Sequence, residues 1–438
     1  MLPSAWKTAN ITPIYKKGEK EKPCNYRPIS LTSIPCKMLE HIILHYLNKT
    51  LDSILVSRQH GFRRGLSCDT QLCATFHDLA RAADNSSTTH AVILDFKKAF
   101  DKVPHLLLIE KIRRIKGIDP FIANWIQSFL TDRSQKVVIK GTESSELSVT
   151  SGVPQGSVLG PTLFLIYIND LPQSVSCKVS LDADDTLLYA EVNNKIQQEA
   201  FQRYLNSLYN WSLKWKMPFN IDKCEVIIFG KTDDTSHLYS LGDTTLRTVK
   251  EAKYLGVIMQ SNLKFDRHIT SKVNNASKIL GCIKHTIYNA PMKAKLIAYL
   301  SLCRPILEYA DTLWDPTNKS ACEEIEHVQN QAIRFIANLK GRCSISDART
   351  ELQLKILASR QRDRRITLLM RILSDEERHE TLSSTYDELL NSNRSINTRS
   401  TKRGELTSIS ASSQTFHNSF LSRSIRYLRI PPHNTNPA

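Results

Sequence analysis

No apolar run in the sequence approaches the roughly 18 to 20 residues of a membrane span, and the N-terminus lacks the basic-then-apolar order of a secretory signal. These absences point to an intracellular protein, nuclear or cytoplasmic. The 10 cysteines include no Cys-x-x-Cys pair and have no His couples at zinc spacing, which argues against both a disulfide framework and a zinc finger. No internal repeat is present. Acidic residues are in short supply: 43 Asp plus Glu face 59 Lys plus Arg, a net charge of +16. That imbalance favours a polyanionic partner such as nucleic acid. At 438 residues, the chain is long enough for two or three domains, each with a buried core.

The acidic residues that are present have a telling arrangement. Asp184 and Asp185 stand side by side in Val-Ser-Leu-Asp-Ala-Asp-Asp-Thr-Leu-Leu-Tyr (179 to 189), between two runs in which apolar and polar residues alternate. That pattern places them at a hairpin tip. Asp95 ends the apolar strand Ala-Val-Ile-Leu (91 to 94). Folding that brings Asp95 beside the pair creates a cluster of hard oxygen donors suited to magnesium, and two such ions clamp the attacking and leaving oxygens of a phosphoryl transfer. A bare Asp-Asp is most often an ordinary turn; here the surrounding segments carry further information.

Between the two carboxylate segments lies Ser-Gly-Val-Pro-Gln-Gly-Ser-Val-Leu-Gly-Pro-Thr-Leu-Phe-Leu-Ile-Tyr-Ile-Asn-Asp-Leu (151 to 171), a glycine- and proline-rich loop running into an apolar segment of helical length. With Leu-Asp-Phe-Lys-Lys-Ala-Phe-Asp-Lys-Val-Pro-His (94 to 105) and Ala-Asp-Asp (183 to 185), in that order, it resembles the palm of a non-LTR (LINE-type) retrotransposon reverse transcriptase of the jockey-like group. Asn-Tyr-Arg-Pro-Ile-Ser-Leu (25 to 31) and Gln-His-Gly-Phe-Arg-Arg-Gly (59 to 65) resemble that family's fingers motifs. Residues 211 to 230, with Phe-Asn-Ile-Asp-Lys-Cys, are similar to the segment after the catalytic hairpin. Lys-Tyr-Leu-Gly-Val (253 to 257) is similar to the primer grip. Arg-Pro-Ile-Leu-Glu-Tyr-Ala (304 to 310) and Glu-His-Val-Gln-Asn-Gln-Ala (326 to 332) resemble the helical region that follows the polymerase.

The resemblance implies an RNA-directed DNA polymerase, a nucleotidyltransferase that adds deoxynucleoside triphosphates to a DNA primer 3'-end on an RNA template. It implies two Mg2+ ions, with Mn2+ as a substitute, and an α+β right-hand polymerase fold of fingers, palm and thumb with a mostly helical C-terminal extension. Carried over residue by residue, it gives Asp95, Asp184 and Asp185 to the metals and Lys223 to protonation of the leaving pyrophosphate. Phe100 becomes the gate against a ribose 2'-hydroxyl. Arg27 and Arg63 face the incoming triphosphate, Gln155 and Gly156 the template strand and nucleotide, and Tyr254 and Gly256 the primer end.

The expected organisation is a partial fingers region over residues 1 to 90, with a helix at 37 to 51, then a palm over 91 to 235 with a helical stretch at 106 to 130 and a strand at 135 to 140. Primer-grip strands follow at 236 to 262, and a helical thumb and extension at 263 to 345. The tail, 346 to 438, is expected to be helical and then largely disordered, chiefly over 385 to 415. Two departures from the family pattern stand out. Asp182 occupies a position where the family has an aromatic residue, and by strand alternation it shares a face with Asp184. The opening residues resemble a segment from inside the polymerase domain, so the expectation is a chain truncated at its front and lacking the upstream endonuclease domain. These departures keep a second reading open: a decayed copy, catalytically weak or inactive, that retains RNA binding.

Overall fold

The structure, a computed structural model, describes residues 2–230, 238–339, 343–374, 382–383 and 411–429. It has the α+β right-hand polymerase architecture expected from the sequence, with helices on both faces of a central sheet and a helical C-terminal half. At the front, Thr8–Tyr15 pairs antiparallel with Tyr26–Leu31, placing Arg27 opposite Ile14. Thr8–Tyr15 also runs parallel to Arg133–Ile139, so the first sheet is completed by a strand from far along the chain. The helix expected at 37 to 51 runs from Ile34 to Ile54 and buries Ile43, Leu47 and Leu51, which recur every fourth residue. The stretch expected at 106 to 130 is two helices, His105–Arg114 and Pro120–Leu130. Gly117 separates them at φ 93, a conformation costly for a residue with a Cβ. Asp119 then caps the second helix by accepting from Phe121 N–H at 2.7 Å.

The central sheet has the order Arg247–Val249, Glu225–Phe229, Thr89–Leu94, Asp185–Glu191, Lys178–Asp182. Thr89–Leu94 is buried along its whole length. Alternate side chains of a strand point to opposite faces, and here both faces are covered. Ala91 and Ile93 join Leu187, Tyr189 and Ile227 in one core with the helix Cys68–Asp84. Val92 and Leu94 join Leu188 and Val226 in the other, with Phe164 and Leu205 from the helices Gly160–Ile168 and Lys195–Lys214. Fully burying one such side chain stabilises by about 1.5–3 kcal/mol, so the strand that carries Asp95 is among the firmest parts of the molecule. Leu94 pairs with Thr186, which leaves Asp95 one step beyond the strand end and level with the turn of the neighbouring hairpin.

In the C-terminal half, Asp266–Thr286, Lys319–Ile336 and Leu357–Ser374 pack their apolar stripes around Trp314 and Leu313. The helix Phe420–Arg429 inserts Phe420, Leu421 and Ile425 into the same core as Cys68–Asp84. A buried ionic seam accompanies this contact: Asp315 meets the wholly buried Arg365 and, at 3.0 Å, Arg423. Of the tail expected to be disordered, residues 385–410 lie outside the described residues. Residues 411–415 are described and depart from that expectation: 411–413 lead into the short helix Gln414–His417, which Ser413 caps. Each of the 10 cysteines is a free thiol, and among the described residues no helix is long and apolar enough to cross a membrane.

Candidate active site

Asp95 leaves the buried strand at the sheet's edge, where a second segment fixes it. Residues 217–224 run back along it: Lys97 N–H donates to Pro218 O at 2.9 Å and Asn220 N–H to Asp95 O at 2.7 Å. Phe96 stacks on Phe219 with ring centroids 4.7 Å apart. This pairing carries Lys223 to the site, where its Nζ lies 2.7 Å from Asp95 Oδ2.

Beside Asp95, the hairpin of Lys178–Asp182 and Asp185–Glu191 turns through Ala183 and Asp184, with Asp182 paired to Asp185. Ala183 sits at φ 55, a left-handed conformation strained for a residue with a Cβ. The loop at 59–61 braces it. Gln59 Oε1 accepts from Ala183 N–H at 3.0 Å and from Gly61 N–H at 2.9 Å. A Cβ on Gly61 would stand 2.4 Å from Ala183 N, so only glycine lets the loop approach the turn this closely.

Burial, and then the field of Asp95, push the Asp184 carboxyl above the usual range, while Lys16 and Arg27 pull it down. Asp185 is pushed up to about 6 by burial and by Asp184, Asp182 and Asp95 in turn. Asp182 is raised by burial and by Asp184, with the Cys68 thiol contact opposing, and its Oδ2 is buried without a hydrogen-bond partner. Carboxylates coupled in this way titrate as a set. A cation relieves their mutual repulsion. The all-oxygen donor chemistry fits a hard ion such as Mg2+, which retains waters and takes further ligands from substrate phosphates. Among the described residues, no group of three His, Cys, Asp or Glu side chains is arranged to hold a metal ion by itself; the hairpin and Asp95 offer a partial donor set that substrate phosphates and waters would have to complete.

The other residues singled out by sequence divide into two groups. Arg27 is exposed and its field reaches Asp184. Phe100, half-buried, stacks on Phe164 at 4.7 Å and meets Phe62 edge-on at 6.1 Å. Gln155 Nε2 donates to Asp101 Oδ1 at 2.9 Å, and Gln155 O accepts from Ser30 N–H at 2.6 Å. Gly156, at φ 109, passes so close to Ser30 that a Cβ would stand 2.7 Å from its carbonyl oxygen. Gln155, Lys98 and Lys102 line a cavity of about 360 Å³ between the first sheet and the glycine-rich loop.

Arg63 has a different position: its guanidinium donates to the carbonyls of Val56 at 3.1 Å and of Asp52 and Gln59 at 3.4 Å, organising the chain that follows the first long helix. Tyr254 is 1% exposed and belongs to the core. Gly256, at φ 78 beside Leu255 at φ 44, makes the surface turn above it. Three residues at the site were not anticipated. Lys16 follows Ile-Tyr at the end of an alternating strand, a signal that was available in the sequence. Phe62, 60% exposed at φ 55, follows the glycine that braces the hairpin. Tyr309 covers Gly256 from a distant segment.

A family model described as reverse transcriptase (RNA-dependent DNA polymerase) matches residues 14–259. The RNA-directed DNA polymerase from mobile element jockey of Drosophila melanogaster is 28% identical over 82% of this chain and 41% of its own length. The probable RNA-directed DNA polymerase from transposon BS of the same species is 31% identical over 77% of this chain and 39% of its own length. The chain therefore spans about two-fifths of the length of these relatives. A solved structure of apo telomerase from Candida tropicalis shares 12% identity, with a TM-score of 0.49 over 86% of this chain and 63% of that one.

Proposed function

The chain belongs to the reverse transcriptase (RNA-dependent DNA polymerase) family, with relatives among jockey-like, non-LTR mobile elements, and from that premise we propose that it extends a DNA primer on an RNA template by nucleotidyl transfer. The observation that carries this reading is the meeting of Asp95, Asp184 and Asp185 at one sheet edge, with Lys223 on Asp95 and the cations Lys16 and Arg27 within electrostatic reach.

Asp95 and Asp184 would hold two Mg2+ ions, with Asp185 adding charge and outer contacts; when bound, these ions stabilise charge on the attacking and leaving oxygens. Arg27 and Lys16 bind the triphosphate of the incoming nucleotide. The primer 3'-hydroxyl loses its proton to solvent as its oxygen bonds to the α-phosphorus, the bond from that phosphorus to the bridging oxygen breaks, and pyrophosphate leaves with a proton that Lys223 Nζ would supply. Phe100, backed by Phe164, would meet a 2'-hydroxyl and so select deoxyribose. Gln155 and Gly156 line the template side. Gly256 presents the turn against which the primer end rests, and Tyr254 supports that turn from beneath. Arg63 acts at one remove, by holding the loop that braces Ala183.

In this reading, residues 1–90 together with Arg133–Ile139 form the fingers and 91–235 otherwise form the palm. Residues 236–262 form the grip, and 263–345 the thumb. The nearness of the three carboxylates to one another and of Lys223 to Asp95 supports catalysis over a remnant confined to RNA binding. The test is primer extension by the full chain carrying Asp95→Asn or Asp184→Asn. Extension should fall at least about 100-fold, because positioned charge supplies several kcal/mol of the barrier, while RNA binding persists. Near-wild-type extension by either variant would overturn the assignment.

A further inference from the structure

The tyrosine of Lys-Tyr-Leu-Gly-Val is buried, yet the turn it precedes is not bare of aromatic surface. Tyr309, at the end of the short helix Arg304–Glu308, lies directly on that turn. Its hydroxyl donates to Leu255 O at 2.8 Å. Its ring atoms Cε1 and Cζ lie 3.0 and 3.3 Å from where a Cβ of Gly256 would stand. The glycine therefore makes room for this ring. Lys272, from the helix Asp266–Thr286, places Nζ 4.8 Å from the ring centroid.

Two further observations give this pair a direction. The Cys68 thiol contacts both the Tyr309 hydroxyl and the Asp182 carboxyl, so the ring stands beside the end of the hairpin that carries Asp184. Lys272 is held below the usual lysine range by burial and then by the charge of Lys253. The fold has brought two ammonium groups into each other's field next to an aromatic ring that is 36% exposed. An anionic phosphate between them would relieve the repulsion, and a nucleoside attached to that phosphate would reach the ring.

We propose that Tyr309 and Lys272 form the seat of the primer's 3'-terminal nucleotide: the ring packs against its sugar or base, and the Lys272 ammonium, supported by Lys253, binds the adjoining phosphate. The inference rests on the polymerase reading of Asp184, to which it adds the residues that position the attacking end. Aromatic rings serve as sequence-tolerant platforms for single nucleotides in many nucleic-acid-binding proteins, and a primer terminus of any sequence needs such tolerance.

The experiment compares Tyr309→Leu, Tyr309→Phe and Lys272→Gln with the wild-type full chain on a recessed DNA primer annealed to RNA, with single-stranded RNA and a blunt hybrid as controls. Tyr309→Leu should raise the KM for primer–template about tenfold, the size expected for losing one aromatic platform, while kcat and the KM for deoxynucleotides change less than about twofold. Tyr309→Phe should restore the primer KM, because it keeps the ring and loses only the bond to Leu255. Lys272→Gln should raise the same KM and reduce the salt dependence by about one ion. Thermal melting verifies that each variant is folded.

An unchanged primer KM in Tyr309→Leu would overturn the seat while leaving the polymerase reading intact. A Phe variant as impaired as the Leu variant would show that the hydroxyl only supports the turn, and an equal loss of affinity for single-stranded RNA would assign the pair to the template; either result overturns the proposal. If the wild-type chain extends no primer, the polymerase reading falls, and the seat is then read from binding alone. A tenfold loss confined to the recessed hybrid upholds it, and equal affinities for recessed and blunt hybrids overturn it.

Discussion

Replacing Asp311 with asparagine should make the protein more stable above neutral pH. Asp311 is 0% exposed at the start of the short helix Asp311–Trp314. Arg364 Nη2 lies 3.3 Å from its Oδ1, the field of Arg365 reaches it as well, and both carboxylate oxygens lack a hydrogen bond among the described residues. Burial outweighs the help of Arg364 and, with the charges of Glu308 and Asp69, pushes the carboxyl up to about 7. The unfolded chain would titrate near the ordinary aspartate value of about 3.9, so the native state binds a proton that the unfolded state has lost between these two values. The stability associated with that proton is fully present below about pH 3.9 and is gone once the pH has risen past about 7. Three tenfold steps at about 1.4 kcal/mol each give about 4 kcal/mol. The variant loses the attraction of Arg364, whose side chain is 35% exposed, so that screening by solvent keeps the net worth of the pair small. Relative to wild type, Asp311→Asn should therefore gain about 2 to 4 kcal/mol between pH 4 and pH 8. Urea unfolding followed by the fluorescence of Trp314, buried in the same helix, reads this difference directly, provided the slopes agree. A difference that stays constant with pH, or one that shrinks toward pH 8, would refute the reasoning.

Two further outcomes concern the site. Phe100→Val should admit ribonucleotides with little loss of deoxynucleotide use, measured by competition between the two; an unchanged ratio would leave Phe100 as packing for Phe164. Asp182→Asn removes a charge that holds Asp185 up, so Asp185 should ionise at lower pH and the acid limb of the pH–rate profile should move to lower pH with a gain in extension. A profile that does not move would mean that Asp182 is already neutral or is masked from the other carboxylates.

The residues that act through covalent neighbours were the legible ones. Asp95 ends an apolar strand, Asp184 sits in a two-residue turn and Asp185 opens the strand that follows it, so their meeting needed only the pairing of adjacent strands. Lys223 was legible because its segment resembles a known motif, although its approach to Asp95 depends on the backbone pairing of 95–97 with 218–220. The burial of Tyr254, assigned from the resemblance to the primer end, was not legible because alternation in a short strand gives two faces without saying which one a distant helix covers. Here the face of Tyr254 and Ala252 is turned to the core shared with Cys68–Asp84, and Lys253 is exposed. The carbonyl contacts of Arg63 were not legible for a related reason: a guanidinium looks the same in sequence whether its five donors meet phosphate or backbone carbonyls. Tyr309 was read as part of a helical region, and nothing local in Leu-Glu-Tyr-Ala announces a contact with Gly256. Within the helical stretch expected at 106 to 130, Gly117 and Asp119-Pro120 are the local signals of the break between its two helices.

The contact between Phe420–Arg429 and Cys68–Asp84 has a consequence for how the molecule is made. Ser412 N–H donates to Asp84 Oδ2 at 3.2 Å across 328 residues of sequence, and the apolar side chains beside that bond share one core. On the ribosome, the earlier helix emerges and must wait for its partner. At roughly 5 to 20 residues per second, the interval is roughly 20 to 70 seconds, during which Leu72, Phe76 and Leu79 have only part of their native cover. Nascent chains are thus exposed to aggregation for as long as translation takes to reach Phe420–Arg429, and their yield should depend on elongation rate and on chaperones that shield Cys68–Asp84 until that partner arrives.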